Sequence, residues 1–137
     1  AYGCSINGKV VYWASALAPP GLFETAFIDS GGTLGPGRVG LVGRCGEPFA
    51  ALRGRYPSWV ASNASLLPEP RDWPHDVHEL IMTSCHHTRY VFSIGMSDLW
   101  NNVAGTMSTI EAAREHGCDV RVVRGLVAHC GYLWPPV

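Results

Sequence analysis

The chain has 137 residues, 47% hydrophobic and 15% charged, which is enough apolar material for one packed domain and excludes a disordered chain. Its formal net charge of −1 lacks the basic excess that marks binding to nucleic acid or anionic membranes, so no nucleic-acid partner is expected. Lys9 is the only lysine, leaving nine arginines among the ten basic residues, and arginine suits bidentate recognition of phosphate or carboxylate.

In chain order, "KVVYWASAL" (9–17) is β-rich and reads as a first buried strand. "PGLFETAFIDS" follows as a short helix, with a proline near its start and Gly31 and Gly32 after it. "RVGLVG" (38–43) reads as a second strand, "GEPFAALRGRY" as a helix and "SWVASNAS" as a third strand. The prolines of "LLPEPRDWP" exclude regular structure. "HDVHELIMTSCHH" has the apolar spacing of an amphipathic helix, and "RYVFSIGM" reads as a strand. A helix opening at the Gly-Thr turn of "AGTMSTIEAAREHG" and the strand "DVRVVRG" complete the order. Residues 124–137 form an apolar tail expected to pack on the body or on a partner. Alternating strands and helices predict an α/β domain over residues 1–137, with a mostly parallel sheet of about five strands and right-handed crossovers.

No apolar run approaches the roughly 18 residues of a membrane span, so no membrane association is expected. The start "AYGC" reads as a mature chain after removal of Met. The five cysteines, Cys4, Cys45, Cys85, Cys118 and Cys130, are odd in number and never spaced as CxxC. That pattern predicts reduced thiols and a cytoplasmic location, not a disulfide framework.

Ligands of open α/β sheets bind beyond the carboxyl ends of the strands. In "VGRCGEPFA", Gly43 and Gly46 allow backbone to approach a ligand, and helix N–H groups can hold an anion; an ordinary tight turn needs the same residues. In "VAGTMSTIEAA", Gly105 permits close approach and Thr106, Ser108 and Thr109 offer hydroxyls where the helix dipole favours negative charge. Ser108 and Glu111 also fit an S-x-x-E capping box, which would satisfy the helix's own donors. Ser15 lies where a loop after the first strand would reach the same rim.

Two of these motifs, in this order, resemble the SLOG superfamily, the Rossmann-like group that includes YspA/YpsA-related, DprA-like and LOG-like proteins. "GRCGEPFA" is similar to its glycine-arginine turn, and "AGTMSTIEAAREHGCDVRVV" to its "G-T-x-x-x-I-x-x-A-x-x-x-G-x-x-V" motif. "RDWPHD" followed by Met82 is similar to the segment between them. The resemblance spans residues 38 to 124. It implies a single Rossmann-like three-layer domain binding a nucleotide or nucleotide-derived small molecule. Gly43, Arg44, Gly46 and Glu47 would form the first turn, and Gly105, Thr106 and Thr109 the phosphate seat. No cofactor is implied, and a homo-oligomer is expected.

Members of that superfamily that cleave N-glycosidic bonds carry a glutamate just after Gly-Thr. Here that position is Thr109, and Glu111 lies about 200° further round the helix. The departure favours a binding protein. The alternatives are an N-glycosidic hydrolase of a nucleoside monophosphate, with Glu47 as candidate catalytic acid/base, and a self-assembling or interaction protein without a ligand.

A metal site is not expected. Zinc needs three or four converging ligands, and the adjacent His86 and His87 point apart. His75 and His78 share a helix face that reads as solvated, and "HC" (His129, Cys130) is distant in sequence. Asp72 and Asp98 are loop residues able to meet a ribose or base edge, and Trp73 and Trp100 are candidates to stack on a base.

Overall fold

The structure is a computed structural model that describes residues 1–41, 46–59 and 75–131. Four strands, β1 (Tyr2–Cys4), β2 (Thr25–Asp29), β3 (Arg89–Gly95) and β4 (Val120–Gly125), form one sheet in the order β1-β2-β3-β4. Every pairing is parallel, with Tyr2 opposite Phe27, Phe27 opposite Val91 and Val91 opposite Arg121. Among the described residues four helices join them: α1 (Ile6–Leu17), α2 (Phe49–Arg55), α3 (His78–Ser84) and α4 (Val103–Glu115). The chain is thus an α/β protein with a parallel sheet, of four strands among the described residues where about five were expected.

Alternate residues of the strands decide the core. Ala26, Ile28, Tyr90, Phe92, Ile94 and Val120 point to one face and are buried there against Tyr12 of α1, Ile81 of α3, and Ile110 and Ala113 of α4. Burying each large side chain contributes about 1.5–3 kcal/mol. Tyr12 and Tyr90 meet edge to face, with ring centroids 6.4 Å apart. Their hydroxyls are not wasted, because Tyr12 donates to the Val77 carbonyl at 2.7 Å and Tyr90 bonds Ser84 at 2.6 Å.

The first third of the chain departs from expectation. "KVVYWASAL" lies in helix α1, not in a strand, and "TAFID" within the expected helix is strand β2. The buried residues of α1, Gly8, Lys9, Tyr12, Ser15 and Ala16, recur at helical spacing. Packing of that stripe outweighs the β preference of Val10, Val11 and Tyr12. Of the expected strand "RVGLVG", Arg38 is not in a strand, Val39–Leu41 is a 3-10 turn, and residues 42 and 43 lie outside the described residues. So do most of "SWVASNAS", whose first two residues end the 3-10 turn Pro57–Trp59, and all of "LLPEPRDWP". The helices at α2, α3 and α4 and the strands β3 and β4 stand where periodicity placed them.

Two disulfides correct the expectation of reduced thiols. Cys4 is bonded to Cys130 across 126 residues, and Cys85 to Cys118 across 33. The second ties the C-terminal end of α3 to the turn that feeds β4. Widely scattered cysteines concealed both pairs, because each is made by tertiary packing and not by local spacing. Among the described residues no helix is long and apolar enough to cross a membrane.

Candidate active site

The sharpest feature of the backbone is at Ser5, the single residue between β1 and α1, with φ 54° and ψ −121°. A non-glycine residue at positive φ is strained, and such strain is kept only where surrounding structure enforces it. The neighbours show how. A Cβ on Gly3 would collide with the Asn7 carbonyl, and one on Gly8 would lie 2.9 Å from the Asp29 carbonyl oxygen. Glycine at both positions lets α1 turn back immediately over the strand end. Ser5 is held by its own backbone as well, its N–H donating to Asp29 and its carbonyl accepting from Lys9 N.

The loops after β3 and β4 bring two further side chains to this turn. His129, four residues beyond β4, places Nε2 2.8 Å from Ser5 Oγ and Nδ1 2.7 Å from Asp98 Oδ2. Asp98, three residues beyond β3, is fully buried at its side chain. Its other oxygen accepts the backbone N–H groups of Trp100 and Asn101, at 2.9 and 3.1 Å. A carboxylate only accepts, so Nδ1 of His129 carries the proton and Nε2 is left to accept from the serine hydroxyl. The two loops are fastened together, with Met96 N donating to Gly125 and Ser97 N to Val127. The Cys4–Cys130 disulfide adds a covalent link between the turn and the histidine loop.

A cavity of about 160 Å³ opens beside Ser5 and His129, bounded by Lys9, Ser30, Glu47, Arg55 and Trp100. Lys9 donates to the Gly31 carbonyl at 2.7 Å and pairs with Glu47 Oε2 at 3.7 Å. Burial holds the Lys9 ammonium below its ordinary pKa, opposed by the charge of Glu47. Glu47 is itself positioned by backbone, since Gly46 N donates to Leu99 and Glu47 N to Trp100.

The residues expected to hold a ligand are scattered by the fold. Glu47 enters the cavity, with Gly46 beside it. Ser15 lies in the third turn of α1, buried, its hydroxyl donating to Val11 and Tyr12 carbonyls. Gly105, Thr106, Ser108 and Thr109 lie within α4, which begins at Val103 and is capped by Asn102, whose side chain accepts Gly105 N. Ser108 is therefore an interior residue and not a cap, and it accepts from Arg38 Nη1 at 3.1 Å. Thr106 N is spent on Asn102 O, and Thr109 Oγ1 donates to Pro36 O at 2.6 Å. Gly105 is small for packing, because a Cβ there would meet Arg38 N at 2.8 Å. Gly43, Arg44, Cys45, Asp72 and Trp73 lie outside the described residues. The sequence reading missed Ser5 altogether. It weighed Asp98 as a ribose contact and His129 as a metal ligand, whereas the two hydrogen-bond each other.

A serine on a strained strand-to-helix turn, followed in chain order by an aspartate and a histidine that complete a hydrogen-bonded relay, is the arrangement of α/β-hydrolase folds. The fold of the chain is similar to that of two solved structures. It matches a carbohydrate esterase family 15 (CE15) glucuronoyl esterase from Caldicellulosiruptor kristjansonii with a TM-score of 0.79 and 23% identity, over 93% of this chain and 37% of the other. It matches a promiscuous CE15 esterase from a marine bacterial metagenome with a TM-score of 0.72 and 19% identity, over 90% of this chain and 36% of the other. The chain thus spans little more than a third of either. No protein-family model and no curated protein matches it. These neighbours overturn the resemblance to the SLOG superfamily. With it go the nucleotide-like ligand, the phosphate seat on α4 and the N-glycosidic reaction. The physical reason is that short Gly-Thr and Gly-Arg turns occur wherever a helix packs closely, and here the N–H groups they offer at Gly46, Gly105 and Thr106 are already donated within the chain.

Proposed function

We propose that the chain carries the catalytic residues of a serine esterase acting on a carbohydrate ester, the uronic-acid ester of a glucuronoyl esterase being the best-supported substrate class. The observation that carries this reading is the Ser5–His129–Asp98 relay, with both hydrogen bonds below 3 Å. In the reaction, Ser5 Oγ attacks the ester carbonyl carbon while His129 Nε2 takes its proton. The oxyanion develops next to Ile6 N–H, the residue after the nucleophile, at the positive end of the α1 dipole. Collapse expels the alcohol, which leaves with the proton from His129, and an acyl-Ser5 ester remains. Water, deprotonated by His129, attacks that ester and releases the acid and free Ser5. Asp98 fixes the tautomer and supports the imidazolium throughout.

The carbohydrate part of the reading rests on the cavity. Charged donors on Lys9 and Arg55, acceptors on Glu47 and the ring of Trp100 suit a hydroxylated group better than a plain alkyl chain. The two disulfides support an oxidising compartment as the place of action over the cytoplasm expected from cysteine spacing.

A fluorophosphonate probe together with hydrolysis of the methyl ester of glucuronic acid tests the proposal. One covalent adduct on Ser5 is expected, and both adduct and hydrolysis should disappear in Ser5→Ala. An adduct that persists in Ser5→Ala, or no reaction of the chain with either reagent, sinks it.

A further inference from the structure

Arg55 ends helix α2 and has a place in this site that the relay does not require. Its Nη1 lies 3.3 Å from Glu47 Oε1, while Lys9 Nζ stands 3.7 Å from the other oxygen, Oε2. The buried Glu47 carboxylate is thus shared by two cations, one on each oxygen. The Arg55 guanidinium also lies over the Trp100 ring, 5.3 Å from its centroid. Arg55 and Trp100 both border the cavity that holds Ser5 and His129, and both are about half exposed, at 51% for the Arg55 side chain and 53% for Trp100. A guanidinium has five N–H donors in one plane. Among the described residues one of them is engaged, by Glu47, which leaves others for a group that enters the cavity mouth.

We propose that Arg55 is a specificity-determining residue of this pocket, a planar donor pinned on Glu47 and Trp100 that binds the hydroxyls of a uronic-acid ester held at Ser5. The inference rests on the esterase reading and extends it to a residue outside the triad. The chemistry is specific to arginine. Lysine keeps the charge beside Glu47 but has neither the fork of donors nor the flat face that stacks on an indole. Attachment at two points holds the donor plane in one orientation before substrate arrives, so little ordering remains when the sugar binds. A small acyl ester such as 4-nitrophenyl acetate reaches the relay without presenting hydroxyls, and depends on Arg55 less.

The test compares the full chain with Arg55→Ala and Arg55→Lys on two substrates, the methyl ester of glucuronic acid and 4-nitrophenyl acetate. The ratio of kcat/KM for the sugar ester to that for the acetate should fall at least tenfold in Arg55→Ala, mostly through KM, and Arg55→Lys should restore only part of it. Titration of glucuronate against tryptophan fluorescence supplies a readout without turnover, and Kd should weaken at least tenfold in Arg55→Ala. Should Arg55→Ala fail to fold, Arg55→Lys carries the same prediction with a smaller change. A ratio unchanged within twofold, a parallel loss on both substrates, or an unaltered Kd overturns the proposal and leaves Arg55 as a structural prop. Those results leave the esterase reading intact. A parent chain that hydrolyses neither substrate and binds no glucuronate ends both.

Discussion

Cys4 and Cys130 are bonded to each other, and each is the chain neighbour of a residue in the relay: Cys4 precedes Ser5 and Cys130 follows His129. The bridge therefore spans the same gap as the Ser5–His129 hydrogen bond. Replacing both cysteines by serine should cost about 2–5 kcal/mol, because the closed loop is long. It should also slow fluorophosphonate labelling of Ser5, since the histidine loop is then held only by hydrogen bonds. Urea denaturation and labelling kinetics measure the two effects. The Cys85→Ser, Cys118→Ser pair is the control, expected to lose stability without slowing the label. Equal labelling rates in all three chains would show that the Cys4–Cys130 bridge does not position His129.

The turn at Ser5 depends on two glycines to different degrees. At Gly3 an added Cβ meets the carbonyl of Asn7, a backbone group inside the first turn of α1 that has nowhere to go. At Gly8 the nearest atoms, Asp29 O at 2.9 Å and Gly3 O at 3.2 Å, need a smaller shift. Gly3→Ala should therefore destabilise by about 3 kcal/mol or more, and Gly8→Ala by roughly 1–2 kcal/mol. Equilibrium unfolding ranks them, and the reverse order contradicts the geometry.

Asp98→Asn separates orientation from packing. The amide fills the same buried space and its oxygen can still accept the Trp100 and Asn101 N–H groups. Its NH₂ donates where the carboxylate accepted, so His129 Nδ1 must become the acceptor and Nε2 carries the proton. Nε2 can then no longer take the Ser5 proton. Ester hydrolysis should drop by about 10³- to 10⁴-fold with little change in melting temperature. A loss below tenfold means that another group orients the imidazole.

The parts of the fold that were legible in the sequence are those whose own periodicity matches their burial. α3 and α4 bury one helical face, and β3 buries every second residue from Tyr90 to Ile94. α1 was not legible, because its β-branched residues are set in helical order only by the contact with β1, β2 and α3. The site was less legible still. Its signal was present in "GCSING", a serine with glycine two residues before it and three after it, preceding a helix-length segment. What made that short string informative was the pair of loops ending in Asp98 and His129, more than 90 residues away. Adjacent "HC" was weighed only as part of a metal site that was not expected, and its two members have separate tasks, one hydrogen-bonding Ser5 and the other bridging to Cys4. Of the glycines that suggested a phosphate, Gly46 packs closely on Asn102 and Gly105 on Asn102 and Arg38.

Lys9 supplies a prediction in pH. Burial is the largest influence on it and pushes its pKa down, while Glu47 and more weakly Asp98 push it up, and the net direction is down from 10.5. The folded chain therefore releases this proton at lower pH than the unfolded chain does. Between the two values the unfolded state binds more protons, so the stability contributed by this group rises with pH. Below the folded value both states are charged and the cost of burying the ammonium is present in full. Lys9→Met removes the titration but leaves the Gly31 carbonyl without its donor and Glu47 without one of its two cations, so it should be destabilising at neutral pH by about 1–3 kcal/mol. The gap in unfolding free energy between the parent chain and Lys9→Met should be flat near neutrality and widen in favour of the parent as pH climbs toward 10.5. Urea titrations at a series of alkaline pH values measure it. A gap that narrows over that range would mean that the attraction of Glu47 outweighs burial, and that the ammonium is held above its ordinary value instead.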